Sequence, residues 1–175
     1  MRIIALSDTH IPRRAMELPQ AVLAALAEAD HIIHTGDITA PEVLDALAAY
    51  APVTAVAGNA DMPELQDALG EKKLLRLDGF VIGLCHGHGQ KGTTLQRAAA
   101  AFEGESADAV VFGHSHIPYL RRHDGMLLLN PGSPTDKRRN PYYSYGVIET
   151  GETLSAHIVY FDKNGMIVRT AISEG

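Results

Sequence analysis

Cysteine occurs once among the 175 residues, at Cys85. A single thiol cannot build a disulfide framework, and it fits a reducing compartment, so the expected location is cytoplasmic. Long apolar runs are missing as well: none approaches the ~20 residues that a membrane-spanning helix needs, and no membrane association is expected. The run Ile3-Ile4-Ala5-Leu6 behind Arg2 is closed by Asp8, too early for a signal-peptide core. Positive charge is in deficit, with 15 Lys and Arg against 21 Asp and Glu and a formal charge of −6. A general grip on nucleic acid works by neutralising phosphates, so this balance argues against a sequence-independent DNA or RNA binder. Repeats, low-complexity tracts and Ser/Gly linkers are absent too. The length is that of about one domain, expected over residues 1–175.

What the chain does contain is histidine, nine in all and clustered. It also contains short apolar runs that stop at small and polar residues. Arg2–Leu6, His31–His34, Pro52–Ala57, Phe80–Cys85 and Ala109–Phe112 read as buried strands. Between them lie helical faces: Leu18, Val22, Ala25, Leu26 and Ala29; then Val43, Leu44 and Leu47 behind a Thr39…Glu42 capping box with Pro41 in the first turn; then Leu95, Ala98, Ala99 and Phe102. Strand and helix alternating in this way is the βαβ pattern. The last third differs, with strand-like runs at Met126–Leu129, Tyr143–Glu149, Thr153–Phe161 and Met166–Ile172 and an Asn164-Gly165 hairpin turn. The expected fold is α/β: a mixed first sheet and a largely antiparallel second sheet packed together, helices outside.

Each early run ends in metal-ligating side chains. The endings are Ser7-Asp8-Thr9-His10, Thr35-Gly36-Asp37, Gly58-Asn59-Ala60-Asp61, Cys85-His86-Gly87-His88-Gly89 and Gly113-His114-Ser115-His116. Ligands of α/β sheets gather at the carboxyl ends of strands, so residues distant in sequence can converge there. In extended chain, residues i and i+2 point the same way, so Asp8 and His10 can lean onto one ion. His114 and His116 can do the same, or reach one each of two neighbouring ions. Asp37, alone at its strand end, is the natural bridging carboxylate. Asp8, His10, Asp37, Asn59, His86, His114 and His116 are too many ligands for one tetrahedral ion and suit two divalent ions. Two such ions, set against two carboxylates and a bridging hydroxide, leave the site at about +1, which attracts phosphate esters even in an acidic protein.

In this order, D-x-H, GD, GN, GHG and GHSH resemble the calcineurin-like metallophosphoesterase superfamily, and within it the short YfcE-type phosphodiesterases. Asn130-Pro131-Gly132-Ser133 is similar to a later loop of that subgroup. The resemblance implies a four-layer αββα sandwich of two mixed sheets flanked by helices. It also implies one metal held by Asp8, His10, Asp37 and His116 and a second by Asp37, Asn59, His86 and His114, with Asp37, Asn59 and His86 catalytic as well. Where many members carry a histidine that helps the leaving group, this chain has Ala60, as the subgroup commonly does; general-acid help of that kind is typically worth ~10²–10⁴-fold.

The expected activity is hydrolysis of a small phosphodiester by a metal-bound hydroxide, with Mn, Ni, Fe, Co or Zn as cofactor. A phosphomonoesterase, or a non-catalytic metal-binding scaffold like the retromer subunit that resembles this fold, are the alternatives, and the resemblance allows self-association. No Ser/His/Asp or Cys/His arrangement supplies a protein nucleophile. Cys85 reads as a small buried hydrophobe and His31, His34, His123 and His157 as structural or exposed. Asp61 reads as a cap or an orienting group. His88, Arg13, Arg14, Lys137, Arg138, Arg139 and the tyrosines at 142, 143 and 145 are left without a role.

Overall fold

A computed structural model describes residues 1–172. The strands are β1 (Arg2–Leu6), β2 (His31–His34), β3 (Val53–Ala55), β4 (Lys72–Leu77), β5 (Phe80–Cys85), β6 (Ala109–Val111), β7 (Tyr119–His123), β8 (Met126–Asn130), β9 (Tyr143–Glu149), β10 (Ser155–Phe161) and β11 (Ile167–Ile172). The helices are α1 (Gln20–Leu26), α2 (Glu42–Ala48), α3 (Pro63–Leu69) and α4 (Thr94–Ala101). One sheet runs β11-β10-β9-β1-β2-β3 and the other β4-β5-β6-β8-β7. Both are mixed. β1, β2 and β3 are mutually parallel, as are β5, β6 and β8, and the remaining pairings are antiparallel.

Strand alternation divides the apolar side chains among three cores. Ile4 and Leu6 of β1 face outward onto Val22 and Leu26 of α1, Val43 and Leu47 of α2 and Leu65 of α3. Ile3 and Ala5 face inward and meet Ile82, Leu84, Ala109, Val111, Leu127 and Leu129 of the other sheet. That sheet's far face, with Cys85, Val110 and Leu128, is covered by Ala98 of α4 and by Phe102. The layers are therefore helix, sheet, sheet, helix. Among the described residues no helix is long and apolar enough to cross a membrane.

Several details depart from the sequence reading. The C-terminal runs do not make a separate antiparallel sheet: β9 to β11 complete the first sheet, with β9 lying beside β1, and β8 slots next to β6 in the second. β3 spans only Val53–Ala55 and β6 only Ala109–Val111. The Thr39…Glu42 capping box is not formed. Pro41 is the N-cap of α2 with no side-chain bond, because the Thr39 hydroxyl is spent on the Ile11 carbonyl. A capping box is formed instead by Thr93 with Gln96 at α4. The Asn-Gly turn is in place between β10 and β11, organised by Asp162, whose Oδ1 accepts from Asn164 N–H and Met166 N–H at 2.9 Å.

Candidate metal centre

The loops leaving the parallel strands are laced together before any side chain is considered. Asp8 N–H donates to Gly36 O and His10 N–H to Asp37 O, each at 3.0 Å, joining the exits of β1 and β2. Gly113 N–H donates to His86 O at 3.1 Å, joining the exits of β5 and β6. The two sheets then meet across the site. Asp8 Oδ2 accepts from Ser7 Oγ at 2.7 Å and from His114 N–H at 2.9 Å. Only glycine fits at 113, since a Cβ there would lie 1.8 Å from Ser7 Oγ.

Five side chains converge on this seam. Asp8 Oδ1 lies 3.2 Å from His116 Nε2, 3.9 Å from His10 Nε2 and 4.0 Å from His86 Nε2. Asp37 Oδ2 lies 3.5 Å from His10 Nε2 and 3.3 Å from His86 Nε2. The groups Asp8, His10, His116 and Asp8, Asp37, His86 each bring one ligand atom per residue within 4.8 Å of the others. His114 stands next to them, its ring 5.2 Å from that of His86. Asn59 is placed on the β3 exit loop with its side chain exposed. The Ala60 N–H beside it donates to Asp37 Oδ1 at 2.8 Å. Asn59 is thus near Asp37, but its amide makes no hydrogen bond among the described residues.

The outer contacts fix which atoms point inward. His86 gives its Nδ1–H to Thr35 O at 2.6 Å and His116 its Nδ1–H to Asp136 O at 2.5 Å. Each therefore turns Nε2 toward the carboxylates, the orientation in which metal-ligating imidazoles are held. Asp61 is an orienting group and no ligand: its carboxylate accepts from Asp37 N–H (3.0 Å), Gly58 N–H (2.7 Å) and Thr39 N–H (2.7 Å). The residues that sequence reasoning missed are the acceptors and anchors outside this ring, Thr35 O, Asp136 O, Ser133, Thr135 and Asn140. Backbone acceptors carry no sequence signal, and only the Asn130–Ser133 loop hinted at this region.

The convergence has a different origin from the one expected. Asp8, His10, Asp37, His114 and His116 are not extended; they take φ of 54°, 45°, 56°, 66° and 58°. Left-handed backbone is rare for non-glycine residues and persists where the surroundings over-determine it. Here it turns each side chain inward at once, where a pleat would have spaced them along a strand.

Charge at the site follows from burial and neighbours. Burial pushes the Asp8 carboxyl up, but the His116 contact and the His86 charge outweigh it and hold the pKa below the ordinary value. Burial also works against Asp37, which His86, the Ala60 N–H and His10 hold well below the carboxylate range. For His86 and His116, burial lowers the pKa but their aspartate partners outweigh it, and both end above the usual value. Burial keeps His10 and His114 low despite both carboxylates. Two carboxylates that favour the charged form therefore face His86 and His116, with whose protons a cation would compete.

The donor set fits divalent metal. Asp8 Oδ1 and His86 Nε2 are buried and make no hydrogen bond, although they lie among polar atoms. Buried polar atoms left unpaired cost ~1–3 kcal/mol each, more when charged. A cation at this point satisfies both. The other nitrogen and oxygen groups singled out fall elsewhere. His34 is wholly buried between Thr9 and Gly36, and His31 bonds Thr54 Oγ1 at 2.9 Å. Arg14 pairs with Asp136 at 3.2 Å. Tyr143 and Tyr145 pack on Phe161 with ring centroids 5.7 and 6.1 Å away. His88 sits 5.6 Å, ring to ring, from His86, with its Nδ1 buried and unpartnered.

A sequence profile of the calcineurin-like phosphoesterase superfamily domain matches residues 1–153. The chain belongs to this superfamily. Among curated metallophosphoesterases, it is 39% identical over 160 residues to a probable metallophosphoesterase of Methanothermobacter thermautotrophicus, covering 91% of this chain and 92% of that one. It is 34% identical over 170 residues to the probable metallophosphoesterase YsnB of Bacillus subtilis, covering 94% and 93%. Among solved structures, wild-type Vps29 of Entamoeba histolytica complexed with zinc superposes with a TM-score of 0.79 at 25% identity, over 98% of this chain and 99% of that one. Calcineurin-like phosphoesterases hydrolyse phosphoesters with the help of metal, and the cluster at the strand ends offers the ligand groups for that chemistry.

Proposed function

We propose that the protein is a phosphodiesterase working with two divalent ions, one held by Asp8, His10, Asp37 and His116 and the other by Asp37, Asn59, His86 and His114. The observation that carries this reading is the place of one atom. Asp37 Oδ2 lies 3.5 Å from His10 Nε2 and 3.3 Å from His86 Nε2, so one carboxylate oxygen faces an imidazole from each set. Bound divalent ions supply Lewis-acid charge for the phosphoryl oxygens and lower the pKa of water toward ~7.

The chain's own groups orient and exclude. His86 and His116, tethered through Nδ1, keep Nε2 on the reacting side, and Asp61 holds the backbone of Asp37 in place. No side chain here is suited to covalent attack. The Ser7 hydroxyl is buried and committed to Asp8, and burial pushes the Cys85 thiol up to about 12. Water is therefore the attacking group. Ala60 contributes no proton to the departing alcohol, which favours esters with acidic leaving groups. A residual charge of about +1 suits the single charge of a diester. The overall charge of −6 favours a small substrate over nucleic acid, and the lone buried Cys85 is in keeping with a cytoplasmic setting. The zinc in the similar Vps29 supports a divalent ion here.

The test is to strip the protein of metal, then assay bis-p-nitrophenyl phosphate beside p-nitrophenyl phosphate with and without Mn²⁺ or Ni²⁺. Metal-dependent turnover with the diester preferred is expected, and Asp8→Ala or Asp37→Asn should reduce it at least ~100-fold. Monoester preference would make the protein a phosphatase. Near wild-type turnover by Asp37→Asn at saturating metal would overturn the assignment. Silence on both esters despite bound metal would point to a scaffold.

A further inference from the structure

Three cationic side chains near the centre are already committed. Arg97 donates to the carbonyls of Gly87, Lys91 and Gly92 and to Thr94 Oγ1. Arg14 is paired with Asp136 at 3.2 Å. Lys137 Nζ turns back to Asn140 O at 2.8 Å. Arg138 differs: it is exposed, and among the described residues it makes neither a hydrogen bond nor an ion pair.

The backbone around it is firmly held. Two residues before it, Asp136 O accepts the Nδ1–H of His116 at 2.5 Å. Two residues after it, Asn140 Nδ2 donates to His116 O at 2.7 Å and to Lys137 O at 2.9 Å. The same loop is fastened to the β1 exit by Ser133 Oγ, which donates to Asp8 O at 2.8 Å, and by Thr135 Oγ1, which donates to Thr9 O at 2.5 Å. At the tip of this braced loop Arg138 takes a φ of 48°, a conformation that costs a non-glycine residue about 1 kcal/mol or more. A free, always-charged side chain on a loop tethered beside the centre is a poor stabiliser and a well-placed ligand for an anion.

We propose that Arg138 determines specificity by binding a second anionic group of the ester, a phosphate or carboxylate carried on the alcohol next to the scissile phosphodiester. The inference rests on the phosphodiesterase reading. With two ions in place, the diester's own charge is already balanced, so a further guanidinium at the rim answers charge that the scissile group does not have.

A matched pair of probes tests this: the p-nitrophenyl diester of thymidine 5′-phosphate with and without a 3′-phosphate. The wild type should show a KM about tenfold lower for the 3′-phosphorylated diester, the size of one charge-assisted hydrogen bond. Arg138→Gly should erase that preference while leaving KM for the plain diester within about twofold, and Arg138→Lys should restore part of it. Arg139→Ala, the neighbouring exposed cation, should keep the preference. In parallel, calorimetry with thymidine 3′,5′-bisphosphate and thymidine 5′-phosphate should show the same tenfold contrast in Kd and its loss in Arg138→Gly. Arg138→Gly should fold at least as stably as the wild type, which a structural role would not allow. Equal losses on both probes, or none on either, would overturn the proposal. Absence of turnover with an intact binding contrast would instead count against the phosphodiesterase reading alone.

Discussion

His34 is a histidine kept neutral by its neighbours. It is fully buried, its Nδ1 accepts from Gly36 N–H at 3.2 Å and its Nε2–H meets Thr9 Oγ1 at 3.1 Å, so neither nitrogen has room for another proton. Burial lowers its pKa to about 4. The unfolded chain takes up this proton at its usual ~6.5 and the folded chain does not. Above that pH the residue contributes nothing to the pH dependence, and as pH falls toward 4 stability drains away. In metal-free protein, urea unfolding at pH 7 and pH 5 should show a loss of about 2 kcal/mol from this group. His34→Asn, which keeps an acceptor for Gly36, should lose correspondingly less, and an unchanged pH slope would sink the account. At this scale much was legible. Of the seven side chains that ligand types at strand ends marked, six crowd the seam and the seventh, Asn59, is exposed on the β3 exit loop; Asp61 was read as a cap or orienting group, and its carboxylate holds three backbone N–H groups. What the residue pattern could not carry was conformation: the left-handed turns at Asp8, His10, Asp37, His114 and His116 have no signature of their own, unlike glycine.

Among the elements, α4 and β5 show how tightly the outer layer is seated. Gly83, in the middle of β5, has no side chain because Phe102 occupies the space: a Cβ would lie 2.7 Å from Phe102 Cε1. The ring is 2% exposed and has nowhere to retreat. Gly83→Ala should therefore destabilise the protein by about 1–3 kcal/mol, read as a lower urea midpoint with an unchanged m-value and unaltered metal affinity. Among the strands that sequence reading found, β1, β2, β5 and β6 are largely buried and so read as continuous apolar runs, and the C-terminal runs were found through alternation and turn residues. Those that it missed lie at sheet edges. β4, Lys72–Leu77, alternates exposed and half-buried residues with three cations, and β7 exposes Arg121, Arg122 and His123. Charge of this kind blunts an edge and hides the strand at the same time. α3 was missed because Leu65 is its one buried side chain.

Taken as one molecule, the centre lies where two sheets meet, with Asp8 and Asp37 from one and His86, His114 and His116 from the other. An ion held there ties the layers together, so metal should stabilise the native state by mass action. At a thousandfold excess over Kd the gain is about 4 kcal/mol, and thermal unfolding should show a Tm raised by Mn²⁺ and lowered again by chelator. Asp37→Asn should show a much smaller rise; an identical rise would mean that the ion binds elsewhere. Layer order could be anticipated from periodicity and resemblance, but sheet membership could not. Nothing in the run Tyr143–Glu149 announces that it pairs with Arg2–Leu6, at the opposite end of the described chain.

That pairing also sets a timetable. The centre's first aspartate is at position 8, its last histidine at 116, the loop that bolts both down at 133–140, and the strand beside β1 at 143–149. A ribosome has therefore released most of the residues described here before the centre can close. Ions taken up during synthesis would meet isolated ligands and leave again. Retained metal is thus a mark that the chain has been made through its ninth strand and folded, and nascent chains arrested before residue 143 should fail to hold it.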